Sequence, residues 1–145
     1  MTSPSAPNGH SAPAGHSADE TPVQFDLLTA NPVYKPFRYP WAYEAWLTQQ
    51  RVHWLPEEVP LADDVKDWHR NLSEAERNLL TQIFRFFTQA DVEVNNCYMK
   101  HYSQVFKPTE VLMMLSAFSN IETIHVAAYS HLLDTVGMPE IEYTA

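Results

Sequence analysis

Hydrophobic positions recur at helical spacing through two long stretches in the second half of the chain. The first is announced by Ser73-Glu74-Ala75-Glu76, a capping box: the serine oxygen and the glutamate three residues on satisfy free amides at a helix start. No Pro or Gly follows until Pro108, so the pattern predicts a helix from about residue 74 to about 104. Pro108 near its start and Gly137 then Pro139 at its end predict a second helix from about 108 to 136. Pro40 predicts a shorter one, with the proline at the first helical position and the run passing through Trp41 to about Val52. Helices of about 30 residues exceed the usual globular length of roughly 11–12. Elongated helix bundles use such lengths.

The rest of the chain is less regular. Residues 23–39 are apolar but interrupted by Pro32 and Pro36, which predicts an extended arm packed on a body. Pro56 and Pro60 mark a connection around Trp54-Leu55-Pro56-Glu57-Glu58. Residues 1–22 are rich in Ser, Pro, Ala and Gly and contain Gly-His-Ser-Ala twice, at 9–12 and 15–18. Such a segment buries too little apolar surface to offset its ordering entropy, so a disordered tail is expected, with His10 and His16 solvated in it. The expected organisation is this tail at 1–22 and part of one helical domain at 23–145.

Composition supports an all-α fold with a core. Hydrophobic residues make up 45% of 145, and seven Phe, seven Tyr and four Trp supply bulky interior material. The three glycines stand at 9, 15 and 137, fewer than the turns of a β-rich fold consume. The net charge of −9 argues against nucleic acid or an anionic membrane as partner, since both attract Lys and Arg. Cys97 is the single cysteine, so no internal disulfide forms, and a reduced cytoplasmic setting is expected. The first basic residue is Lys35 and no early apolar run precedes it, so no signal peptide is expected. No apolar stretch is expected to reach the roughly 20 residues of a bilayer span.

Chemistry enters where polar residues interrupt the apolar stripes. At 100° per residue, Leu115, Phe118, Glu122, His125, Tyr129, Leu133 and Val136 share an arc of about 60–80°. On the preceding helix Leu80, Phe84, Phe87, Asp91, Val94 and Tyr98 do the same. A carboxylate on a buried stripe must be paired, protonated or metal-bound. The 33 residues from Val105 to Gly137 hold one Lys, at 107, and no Arg, so no cation on that helix can pair with Glu122. Glu122-x-x-His125 stacks two ligands on one face, and carboxylate oxygen with imidazole nitrogen suits iron or manganese. Carboxylate-bridged dinuclear bundles use two such Glu-x-x-His motifs and two single carboxylates. Glu-x-x-His is also common on exposed helix faces, and Asp91 by itself could cap a helix or face a partner protein. Tyr129, one turn beyond His125, adds weight to the metal reading.

These residues carry a resemblance. Ser119-Asn120-Ile121-Glu122-Thr123-Ile124-His125 followed by Tyr129 resembles the metal-and-radical helix of class I ribonucleotide reductase small subunits. Phe86-Phe87-Thr88-Gln89-Ala90-Asp91 is similar to the segment bearing that family's first ligand, and the 31-residue interval from Asp91 to Glu122 fits. His53-Trp54-Leu55-Pro56-Glu57-Glu58-Val59 is similar to its tryptophan segment. The likeness covers roughly residues 30–145. Aspartate at the first ligand position, together with the tyrosine, points to the reductase branch of the ferritin-like proteins.

The resemblance implies a ferritin-like helix bundle, about half of it present, and specific roles. Asp91 and His125 would ligate one metal of a dinuclear iron centre (two manganese or a mixed pair being alternatives), with Asp91 near the Tyr129 hydroxyl. Glu122 would bridge the two metals. Tyr129 would hold a stable radical generated with dioxygen, screened by Phe84, Phe87, Leu133 and Val136. Trp54, otherwise an ordinary packing residue, would lie on the electron-transfer route to the large catalytic subunit that reduces ribonucleotides. A homodimer is implied as well. The chain departs from the family in supplying one single carboxylate and one Glu-x-x-His, and in lacking the tail that binds the large subunit. A partial sequence is therefore expected, inactive by itself, poorly soluble or molten. Two other functions fit the same residues: another di-iron carboxylate oxidase or oxygenase in which Tyr129 is only core, and a non-catalytic helical module whose polar stripe faces a partner.

Overall fold

The structure is a computed structural model that describes residues 26–137; the expected tail at 1–22 lies outside the described residues. Helix α1 spans Pro40–Arg51, a 3-10 turn Pro56–Glu58, α2 Ala62–Arg70 and α3 Glu74–Asn96. A π turn, Cys97–Tyr102, and a last α turn, α4 (Ser103–Val105), continue α3, and α5 spans Thr109–Val136. No strand occurs among the described residues, so the protein is all-α as expected.

Local chemistry sets most of these boundaries. Pro40 opens α1 from inside its first turn. The capping box before α3 forms as predicted: the Ser73 amide donates to Glu76 Oε2 at 2.8 Å, and the Glu76 amide donates to Ser73 Oγ at 3.3 Å. The Ser73 hydroxyl and amide hold the Glu76 carboxyl below its ordinary value. Ser73→Ala is expected to lower stability by about 1 kcal/mol, the usual cost of a lost N-cap, read as a drop in thermal midpoint. Gly137 ends α5 in the left-handed region at φ 77, its amide donating to the Leu133 and Asp134 carbonyls. Pro108 stands just outside α5 as its N-cap, one residue earlier than the helix it was expected to begin.

Two elements differ from expectation. The helix expected over 74–104 runs its full length, but with a wide turn in which the Ser103 amide reaches back to the Tyr98 carbonyl. A π turn adds a residue while keeping the backbone bonded, so no Pro or Gly marks it. Helix α2 was not anticipated: it is nine residues long with no side-chain cap. Its signals are Asp63 and Asp64 in the first turn and His69 and Arg70 in the last, each of the sign that the helix dipole favours there.

Helix α5 is the centre of the fold. Helices α1 and α3 pack along it, and α2 and the 3-10 turn also touch it. One core cluster joins Ala42 of α1 to Val111 and Leu115 of α5, with Leu27, Tyr39, Tyr98, Phe106 and Met114 packed around them. A second joins Leu133 and Val136 to Trp68 and Phe84. By length and composition α5 is also apolar enough to cross a bilayer. This corrects the expectation that no stretch is. Hydropathy averaged along the helix tolerates the isolated Glu122 and His125 that break the apolar run residue by residue.

The arm expected at 23–39 is seen from residue 26, as turns and bends lashed to the start of α5. The Lys107 amide donates to the Leu27 carbonyl at 3.0 Å. Glu110, 0% exposed, is the main fastening. Its Oε1 accepts from the Arg38 and Tyr39 amides at 2.7 and 2.8 Å, and Oε2 accepts from Asn31 Nδ2 at 3.0 Å. Burial pushes this carboxyl upward, but hydrogen bonds from its own amide, Tyr39, Arg38 and Asn31 prevail and hold it below its ordinary value. Much apolar surface stays uncovered: Leu79, Phe86, Phe87, Met99 and Tyr102 are all exposed.

Candidate metal centre

Helices α3 and α5 run side by side, and their polar interruptions meet. Asn95 accepts a hydrogen bond from the Ser119 hydroxyl across the pair, which ties the helices together near the centre. One turn before Asn95 on α3 sits Asp91, and beyond Ser119 on α5 sit Glu122 and His125. One donor atom from each of Asp91, Glu122 and His125 lies within 4.8 Å of the others, and all three residues are half-buried. His125 Nδ1 is 3.2 Å from Glu122 Oε2 and 4.0 Å from Asp91 Oδ2. The side chains of the two acids are only 15% exposed.

This donor set fits a metal. Two carboxylates and an imidazole nitrogen converging in a partly dry site are hard-to-borderline ligands, suited to iron, manganese or zinc. Without a cation, two acids this close and this shielded repel each other and lose solvation. The i and i+3 placement of Glu122 and His125 on α5 brings both to the same face, with His125 Nδ1 turned toward both acids.

Beside Asp91 and His125 lies a cleft of about 440 Å³ lined mainly by apolar side chains, among them Trp54, Val59, Phe87, Tyr129 and Leu132. The Trp54 ring stands 6.4 Å from that of His125, centroid to centroid. Tyr129 lies beneath Phe87 (6.2 Å, interplanar 5°) and beside Phe84 (6.3 Å). Burial first, and then the Asp91 charge, raise the Tyr129 phenol above its ordinary pKa. The five residues singled out from the sequence (Trp54, Asp91, Glu122, His125 and Tyr129) are thus gathered at one place. Of the expected screen around Tyr129, Phe84 and Phe87 touch the ring, while Leu133 and Val136 pack with Trp68 and Phe84.

Two neighbours were not anticipated as part of the site. His131 lines the same cleft, although its helical position places it away from the stripe. Tyr98 was read as stripe material, yet burial and then the Glu122 charge raise its phenol above the ordinary value. Its place seven residues after Asp91, two turns along the same face, was the available signal.

Comparison with known proteins gives this geometry a context. Residues 31–145 match the family described as "Ribonucleotide reductase, small chain". The probable ribonucleoside-diphosphate reductase small subunit 376L of Invertebrate iridescent virus 6 is 50% identical over 117 residues, which is 81% of this chain and 32% of that protein. Small subunit 048L of Invertebrate iridescent virus 3 is 46% identical over 120 residues, covering 83% and 32%. The ribonucleoside-diphosphate reductase subunit beta of Chlamydia pneumoniae is 31% identical over 110 residues, covering 74% and 31%. The sequence thus spans about a third of the length of the relatives it matches.

Proposed function

Because the chain belongs to the ribonucleotide reductase small-chain family, we propose that it bears the radical tyrosine and half of the dinuclear metal centre of a ribonucleoside-diphosphate reductase small subunit. The observation that carries this reading is the convergence of Asp91, Glu122 and His125 within 4.8 Å. Asp91 and His125 would hold one metal ion, and Glu122 would bridge it to a second. The other half of the ligand set, a single carboxylate and a second Glu-x-x-His, we place in the part of the relatives that this sequence does not cover.

Bound at Asp91, Glu122 and His125 and reduced, a metal pair (iron, manganese or one of each) would supply the electrons that activate dioxygen and, once oxidised, would accept the electron that Tyr129 gives up. The chain's own residues do the rest. Tyr129 gives up an electron and its hydroxyl proton. Asp91, close enough to raise its pKa, is the group placed to receive or relay that proton. Phe84 and Phe87 cover the ring and keep water and reductants from it. Trp54, against the His125 imidazole, lies where an electron would arrive from a large catalytic subunit that reduces ribonucleotides, as the oxidising equivalent held on Tyr129 passes outward. We place the protein in the reduced cytoplasm, as a homodimer bound to that subunit, consistent with the free thiol of Cys97.

Substituting Tyr129→Phe in the complete protein is expected to remove the stable organic radical signal in electron paramagnetic resonance while the metal content stays unchanged. A radical of the same lineshape and lifetime in that variant would defeat the assignment.

A further inference from the structure

Two phenols, not one, flank the three ligands. Tyr129 lies on the Asp91 side. Tyr98 lies on the Glu122 side, where both line a small cleft with Gln49, Phe118 and Ile121. The two phenols have different surroundings. The rings against Tyr129 are Phe84 and Phe87, which resist oxidation, so a hole on Tyr129 does not pass to them. Tyr98 meets Phe118 at 5.9 Å but is also in ring contact with Tyr102 at 6.1 Å, one helical turn further along the same π segment. Tyr102 is 44% exposed. The fold therefore places Glu122, Tyr98, Tyr102 and solvent in series, each phenol ring within aromatic contact distance of the next.

We propose that Tyr98 and Tyr102 form a discharge route, which carries oxidising equivalents from the metal-ligand cluster to the surface when Tyr129 does not take them. The proposal rests on the metal-centre reading above, which supplies the oxidant: the metal pair after it has reacted with dioxygen. In the first step Tyr98 would give one electron to the oxidised centre held at Asp91, Glu122 and His125. The Tyr98 O–H proton goes to water in the cleft shared with Glu122, leaving a neutral phenoxyl. In the second step Tyr102 passes an electron to Tyr98, which takes a proton back from that water, and the Tyr102 proton goes to bulk solvent. The surface phenoxyl on Tyr102 is then quenched by a soluble donor of one electron and one proton, such as a thiol. The route bypasses Trp54, which lines the larger cleft against His125.

The test uses the complete protein carrying Tyr129→Phe, loaded with Fe(II), mixed with dioxygen and frozen at successive times for electron paramagnetic resonance. Tyrosine deuteration separates phenoxyl from indolyl signals. A transient signal that narrows on deuteration is expected, with loss of that signal when Tyr98→Phe is added. Adding Tyr102→Phe instead is expected to lengthen its life, because the second step is gone. Tyr102 is exposed, so this variant decides the matter even if Tyr98→Phe disturbs iron uptake. A signal that survives without Tyr98, a lifetime indifferent to Tyr102, or a signal that Trp54→Phe alone removes would overturn the route. Failure of the unsubstituted protein to take up iron and form the Tyr129 radical would instead defeat the metal-centre reading, and the route with it.

Discussion

Glu122→Ala in the complete protein is expected to weaken binding of the metal pair by more than about 100-fold, since even changes to groups that only orient a ligand cost about 10–100-fold and Glu122 is placed as a bridging ligand. The metal-free protein should respond in the opposite sense. In the structure Glu122 and Asp91 crowd His125 at 3.2 and 4.0 Å, and both acids are 15% exposed. Removing one of two shielded like charges relieves repulsion and desolvation. The thermal midpoint of the metal-free variant should therefore equal or exceed that of the parent, while Mn(II) or Fe(II) titration shows the loss. A variant that melts earlier without metal and still binds metal tightly would make Glu122 a structural residue.

The second large effect is at Glu110. Glu110→Ala is expected to destabilise the protein by about 3 kcal/mol or more, because each buried donor left without a partner costs roughly 1–3 kcal/mol and three would be stranded. These are the Arg38 and Tyr39 amides and the Asn31 side chain. Against a usual total of about 5–15 kcal/mol such a loss is severe. The same site predicts a pH dependence. The carboxyl is held below its ordinary value of 4.5, so its contribution is complete above that pH and fades as pH falls through the lower folded value. Glu110→Gln, which keeps the shape but does not titrate, should lose this part of the acid sensitivity. Denaturant melts of parent and variant between neutral and acid pH would show whether the two curves converge.

The parts of this protein that were legible in its sequence are those where a local rule has one outcome. Ser73 and Glu76 can satisfy each other only at a helix start, and Gly137 can hold a positive φ that other residues avoid. The stripe of Glu122, His125 and Tyr129 follows from helical geometry alone, and so does Asp91 within its own helix. That the two stripes face each other, close enough for three donor atoms to converge, is a matter of packing between helices. The sequence implied it through the shortage of cations. What stayed hidden depended on tertiary partners. Glu110 reads as an ordinary first-turn acid, favourable to the helix dipole, until the arm is seen folded over it. The π turn preserves backbone hydrogen bonding and leaves no breaker residue to announce it. Helix α2 is nine residues long and has no side-chain cap to announce its start. The hydropathy of α5 shows the limit of apolar counting, since the helix at the centre of this fold is apolar enough for a bilayer.

The lashing of the arm bears on the order in which the molecule assembles. Asn31 and Glu110 are 79 residues apart in sequence, and Arg38 and Tyr39 are 72 and 71 from it. Contacts of such long range repay their closure entropy only after the intervening helices have shortened the span. The arm is thus the last piece to be tied down and the first to be shed in partial opening. Its amides at 38 and 39 would exchange with solvent while the paired helices α3 and α5 still protect theirs.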